Sequence, residues 1–306
     1  MNGRTEVWVD TALRRSPVQP VFHWRASRRL AVFAYHGIDD PDGFAQHLDH
    51  IRRTAAAMSL DEVLDAIEGR RALPRRAVLI TFDDGHRSVL EVGLPMLRER
   101  ELPAVAFVVA QVIDTDRPFW WTEVVDLAER GGTVSGMHAL EPRDLVRALK
   151  RVPDGRRVEA IEQLRRTAEG PPTAMPQLTT DDLRTMESGG IAIGSHTWSH
   201  ACLSRCGDEA CRQEIDSSHE KLTKGLGHPP TSFAYPDGDR DARAASRLRM
   251  LGYRAAFLFD HRLSPRRPSD PLAISRLRVN STTTLDRFRT IASGLHPTLH
   301  RARGGS

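Results

Sequence analysis

Ala77-Val-Leu-Ile-Thr-Phe-Asp-Asp-Gly85 is the stretch on which the fold turns. Its run of apolar and β-branched residues predicts a buried strand, ended by two carboxylates and a glycine. Successive side chains on a strand point to opposite faces, so Asp83 and Asp84 cannot both be surface decoration. At the carboxyl end of a parallel strand, a turn at Gly85 can aim both into one cleft, where barrels and open sheets keep their chemistry. The plainer alternative is that the pair caps the following helix.

A second short strand, Ile191-Ala-Ile-Gly-Ser195, runs into His196-Thr-Trp-Ser-His200. If a helical turn begins there, the two imidazoles share a face and can reach one ion. A carboxylate from one strand end and two imidazoles from another make a His₂-Asp donor set with positions left open for water and substrate. Such a histidine pair alone is a weak signal. Following a strand, and beside Thr81-Phe-Asp-Asp-Gly85, it is a strong one.

Together these two motifs resemble the polysaccharide deacetylase family, the carbohydrate esterases with NodB homology, over about residues 28–295. The resemblance implies a distorted seven-stranded parallel (β/α) barrel. It implies Asp83 as general base and Asp84, His196 and His200 as ligands of one divalent metal ion. Zinc is the first candidate, with nickel, cobalt, iron or manganese as alternatives. Phe233-Ala-Tyr-Pro-Asp-Gly238 matches the family's third motif at its Pro-x-Gly end, and the Asp237 N–H becomes the oxyanion donor. Tyr235, Pro236 and Trp198 are the expected substrate contacts, with packing as the alternative for Tyr235. The motif's usual arginine is replaced by Ala234, so Arg276 on the last strand is the expected orienting group for the base. A late Leu-x-His histidine serves as acid in most of the family. Here His296 follows Leu295 directly and lies beyond a helix. His36 in Ala34-Tyr-His-Gly37 suits the circularly permuted exopolysaccharide deacetylases, whose acid comes first in the chain. His261 and His296 are the fallback acids.

With 306 residues, the chain is long enough for one large α/β domain. The net charge of +4 comes mainly from arginine and reads as a solvated exterior rather than a nucleic-acid surface. No run of ~18 apolar residues predicts a membrane span. The first fifteen residues lack the apolar core of a secretory leader. A cytoplasmic location is therefore the expectation. The three cysteines, Cys202, Cys206 and Cys211, fit reduced thiols. Their spacing lacks the tight Cys-x₂-Cys knuckle of a structural zinc site.

Strands are expected to begin near residues 30, 77, 104, 191, 231, 253 and 272, alternating with helices as a parallel sheet requires. Ser59 with Glu62 predicts a capping box. Residues 111–177 break the rhythm and read as a helical insertion beside the site. There Trp120 and Trp121 either anchor the insertion to the barrel or stack on a sugar. Residues 1–27 read as an irregular extension and 296–306 as a basic tail.

The expected reaction is hydrolysis of an acetamide on an N-acetylated sugar or glycan. The alternatives are a small acetylated metabolite, a nucleotide sugar or a lipid-linked glycan as substrate, and, in another class, a non-catalytic carbohydrate-binding barrel. The intact Asp83, Asp84, His196 and His200 set argues against the last.

Overall fold

The computed structural model describes residues 11–302, so residues 1–10 of the extension and 303–306 of the tail lie outside it. Among the described residues, eight strands are all paired in parallel: β1 (Leu30–Tyr35), β2 (Ala56–Ala57), β3 (Ala77–Phe82), β4 (Ala104–Val108), β5 (Ile191–Ser195), β6 (Ser232–Ala234), β7 (Ala255–Phe257) and β8 (Leu277–Arg278). The order is β7-β6-β5-β4-β3-β1-β8, with the two-residue β2 beside β3. The strand expected at residue 272 ties the two edges together. Ile274 exchanges backbone hydrogen bonds with the β7 side, through Ala256 and Leu258, and Val279 N–H donates to Ala34 O of β1. The curled parallel sheet is thus the seven-stranded barrel of the sequence reading plus one short extra strand.

Alternation along each strand sorts the core into two sets. Leu30, Val32, Leu79, Val105, Phe107, Phe257 and Ile274 form one buried cluster with the helix Leu60–Ile67. Phe33, Tyr35, Ile80, Phe82, Ala106 and Ile193 pack outward beneath the helices Pro41–Thr54, Thr180–Ser188 and Leu285–Ala292. Continuing the inner parity to the strand ends reaches His36, Asp83, His196 and Arg276. Gly194 is needed on that face: a Cβ there would sit 2.6 Å from both Phe107 Cδ1 and Ser232 Oγ.

The capping box forms as expected, with Glu62 N–H donating to Ser59 Oγ and Ser59 N–H to the Glu62 carboxylate. Residues 111–177, expected as an insertion, hold the helices Trp120–Glu129, Pro142–Leu149 and Asp154–Thr167 around their own apolar cluster. Residues 19–26 of the extension are helical rather than irregular, and Leu295–Ala302 of the tail is a helix as well. The start of the helix Gln19–Ala26 is favoured by Pro20 in its first turn. No helix among the described residues is long and apolar enough to cross a membrane.

His47 sits fully buried on the helix Pro41–Thr54, sharing a hydrogen bond of 3.1 Å with the Tyr35 hydroxyl and donating to Thr283 O at 2.7 Å. Burial pushes its pKa down to about 4, outweighing the Thr283 carbonyl and Asp40, which favour the charged form. The unfolded chain therefore binds more protons between the ordinary histidine value and that lowered one. Stability is expected to fall as pH drops through that window, by about 1.4 kcal/mol per unit for this one group. Thermal unfolding at a series of pH values should show a shallower acid slope in His47→Gln; an equal slope would assign the effect to other groups.

Candidate active site

Asp83 follows the inner face of β3, and its backbone N–H donates to Tyr35 O at the end of β1. Its carboxylate is almost wholly buried and meets Arg276, itself fully buried, in a two-pronged pair at 2.6 and 2.8 Å. Arg276 is held from behind: Nε donates to Leu258 O at 2.7 Å and Nη1 to Thr81 Oγ1 at 3.2 Å. Burial alone would favour a neutral Asp83. The Arg276 charge, with His196 and the Arg276 hydrogen bonds, reverses that and holds the carboxyl below its usual value.

By alternation Asp84 would face away from Asp83. A left-handed backbone, φ +72, followed by Gly85 at φ +91, changes the direction of the chain there. The Asp84 carboxylate then reaches the histidines: both His196 Nε2 and His200 Nε2 lie 3.5 Å from its Oδ1. One donor atom from each of these three buried residues falls within 4.8 Å of the others.

The histidines do not stand on a helical turn. Thr197 and His200 take left-handed φ values of +68 and +59, which a β-branched threonine adopts only under constraint. The loop is pinned on both sides. His196 N–H donates to Val108 O and Ala110 N–H to Thr197 O. On the other side Trp198 N–H donates to Glu214 O, while Ser199 gives its N–H and Oγ–H to the Glu214 carboxylate at 2.8 and 2.7 Å. Asp84, Thr197, His200 and Asp237 are all non-glycine residues at positive φ in one small region. Each such residue costs of order 1–3 kcal/mol and persists where its surroundings over-determine it.

His196 Nδ1–H donates to Ala234 O at 2.8 Å, which fixes the tautomer and leaves the Nε2 lone pair facing Asp84. Asp84 Oδ1 and His200 Nδ1 are buried without a hydrogen-bond partner among the described residues. Burial works against ionisation of Asp84, and the His86 hydrogen bond with the charges of His200, His36 and His196 more than compensates, so its pKa is far below normal. Burial, then His196, lowers the His200 pKa to about 3, leaving a neutral imidazole. An ionised carboxylate oxygen with no donor, beside two imidazole nitrogens, is the chemistry of a cation site.

A cavity of about 210 Å³ gathers Asp83, Asp84, His196 and His200 with His36, Trp121, Lys150, Asp237 and Phe259. His36, half-buried at the end of β1, packs edge-on against Phe259 with ring centroids 5.4 Å apart. Asp237 lines the cavity at φ +53, and its carboxylate accepts from Lys150 Nζ at 2.8 Å and Cys202 Sγ at 3.5 Å. Burial opposes that charge, and Lys150 overrides it, so the Asp237 carboxyl titrates below its usual value.

Three expected substrate contacts sit elsewhere. Tyr235 is fully buried and its hydroxyl donates to Leu272 O at 3.1 Å, a packing role that corrects the substrate-contact reading. Pro236 is buried in the turn before Asp237. Trp198 is half-buried and borders a neighbouring cavity instead of this one. The fallback acids His261 and His296 are 3.1 Å from each other and absent from the cavity lining. The structure adds His86, whose Nε2 is 3.5 Å from Asp84 Oδ2, and Lys150 from the insertion. His86 could have been noticed directly after Gly85. No local pattern announces Lys150. All three cysteines are free thiols, with Cys206 and Cys211 in an apolar cluster with Ile215.

Among known proteins, the chain is 35% identical to chitin deacetylase 2 of Saccharomyces cerevisiae over 81 residues, 26% of each chain. It is 36% identical to a chitin deacetylase of Pestalotiopsis sp. over 74 residues, 24% of this chain and 25% of that one. The chain therefore matches only about a quarter of the length of either relative. Two solved structures share its fold across nearly their full lengths. The Streptococcus pyogenes deacetylase PplD in complex with acetate superposes with a TM-score of 0.61 at 16% identity, covering 86% of this chain and 98% of its own. IcaB from Ammonifex degensii gives a TM-score of 0.60 at 21% identity, covering 88% and 97%. The family model for polysaccharide deacetylases matches residues 70–256, a span that includes both motif strands and the Asp237 turn but neither His36 nor Arg276. With more than half of its length in that match, and the matching barrel around it, the chain belongs to the polysaccharide deacetylase family.

Proposed function

We propose that the protein hydrolyses the acetamide of an N-acetylated sugar within a glycan, releasing acetate and a free amine. The observation that carries this reading is one cavity holding an arginine-paired carboxylate, a vacant-oxygen Asp-His-His donor set and a separate histidine. Asp84, His196 and His200 would hold a divalent ion, zinc being the first choice for this nitrogen-rich set. When bound, the ion would polarise the acetamide carbonyl and make water easier to deprotonate.

The chain's own groups do the rest. Asp83, kept ionised and fixed in orientation by Arg276, accepts the proton of the attacking water. The Asp237 N–H stands as donor to the oxygen that gains negative charge, on a turn steadied by the Lys150 contact to the same residue's carboxylate. His36 supplies a proton to the departing nitrogen. The relatives' names bring chitooligomers into the substrate screen. The small cavity also keeps an acetylated metabolite, nucleotide sugar or lipid-linked glycan in it. Acetate release from these substrates, with protein loaded with metal and protein treated with chelator, tests the reading; no release from any N-acetyl sugar by the loaded protein refutes it.

His200→Ala is expected to abolish tight metal binding, because the remaining two donors cannot replace the lost imidazole. Metal content by elemental analysis is the measurement, and a full equivalent retained in the variant would remove His200 from the donor set.

His36→Ala tests the acid. Removing a general acid costs about 10²–10⁴-fold, most for a poor leaving group. An amine leaves badly unless protonated, whereas a phenolate leaves unaided. The variant should therefore lose that factor on an N-acetyl sugar and far less on an aryl acetate, with metal content unchanged. An equal loss on both substrates would make His36 a positioning group.

A further inference from the structure

The catalytic cavity is not walled by the barrel alone. Trp121, Val146 and Lys150, all within residues 111–177, line it beside Asp83, Asp84 and the histidines. Val146 lies on the helix Pro142–Leu149, and Lys150 ends that helix, its N–H donating to Val146 O. Leu145 and Leu149 anchor the helix in its own apolar cluster. Just beyond, Arg151 O accepts from Arg205 Nη1 at 2.5 Å. The backbone carrying Lys150 is therefore held from both sides.

Lys150 Nζ donates to Asp237 Oδ1 at 2.8 Å, and Cys202 Sγ lies 3.5 Å from Oδ2. The two side chains of the ion pair are 34% and 39% exposed. Pairs this open contribute little to stability, so the fold has small need of this one. Its place in the site gives it another use. Asp237 is the residue whose N–H faces the oxygen that gains negative charge, so that charge and the carboxylate lie within one residue's reach of each other. Like charges so close repel strongly where water is excluded. The turn cannot shift to relieve this. Gly238, at φ +73, packs so closely that a Cβ would fall 2.5 Å from Phe259 N.

We propose that Lys150 is a positioning residue of the reaction: its ammonium offsets the Asp237 carboxylate, leaving the N–H of the same residue free to stabilise the acetamide oxygen. The inference rests on the deacetylase reading and makes residues 111–177 a working part of the site. A neutral acetamide gains its charge only in the transition state, so the effect belongs to kcat and not to KM.

Lys150→Met removes the charge and keeps an unbranched side chain. It is expected to lower kcat about tenfold with KM nearly unchanged, less than the loss of a whole oxyanion donor because solvent reaches the pair. Lys150→Arg should restore most of the rate. The discriminating background is Asp237→Asn, which keeps the N–H, removes the carboxylate charge and suits left-handed backbone. Without that carboxylate the flexible Lys150 stem lets its ammonium turn to solvent, where water and salt screen it. Adding Lys150→Met to Asp237→Asn should therefore change kcat by less than about twofold. A tenfold loss that persists in that background overturns the proposal, since Lys150 would not be acting through Asp237. Calorimetric titration of the metal-loaded protein with methylphosphonate, a tetrahedral anion, makes the same comparison without turnover. Its binding should weaken about tenfold in Lys150→Met and be nearly indifferent to that change in the Asp237→Asn background. That pattern in a protein that releases no acetate would uphold the role of Lys150 and sink the deacetylase reading. Unchanged kcat and unchanged methylphosphonate binding in a stably folded Lys150→Met overturn the role.

Discussion

Asp83→Asn is expected to lower the rate of acetamide hydrolysis by about 10²–10⁴-fold while the metal content stays the same. The amide keeps the shape of the carboxylate and one acceptor oxygen for Arg276, but it cannot accept a proton from water. The base and the donor set use different carboxylates, Asp83 against Arg276 and Asp84 against the histidines, so one can be neutralised without the other. Elemental analysis beside the rate measurement separates the roles. Metal lost from Asp83→Asn and kept in Asp84→Asn would show that the two are reversed.

Arg276→Met is expected to destabilise the fold by about 3–5 kcal/mol, because it strands an ionised carboxylate in the interior. The stranding is severe here, with Arg276 fully buried and Asp83 only 2% exposed. The double variant Asp83→Asn with Arg276→Met removes both charges and should recover much of the loss. Denaturant unfolding of the two singles and the double gives the coupling directly. Strictly additive losses would mean that the pair is not a stabilising unit. Activity should fall steeply in all three, since the base is absent or unoriented.

The strands that carry the site were legible because their alternation reaches the functional residues directly. Counting by twos from Leu79 leads to Asp83, and from Ile274 to Arg276, although the pair is separated by 193 positions in sequence. The histidines were found for a reason that needs revising. Spacing of four suggested a helical face, whereas the imidazoles converge through left-handed backbone at Thr197 and His200, pinned by Glu214. Spacing alone carries no information about φ.

The contacts that escaped are those between segments folded independently. Lys150 meets Asp237 across 87 positions, and neither neighbourhood has a pattern that points to the other. Tyr235 was misplaced because Asp237, two positions on, does line the cavity while its own ring packs into a cluster with Phe233 and Leu272. The helix Gln19–Ala26 was invisible to periodicity, having almost no sidedness: its residues Val21 and Trp24 stand exposed.

The segment that joins the two edges of the barrel also bears Arg276, and this sets an order of events during synthesis. Asp83 leaves the ribosome long before its partner. Until residues 272–279 dock between β7 and β1, its carboxylate lacks the guanidinium that fixes its orientation. Closure of the barrel and orientation of the Asp83 carboxylate are then the same event.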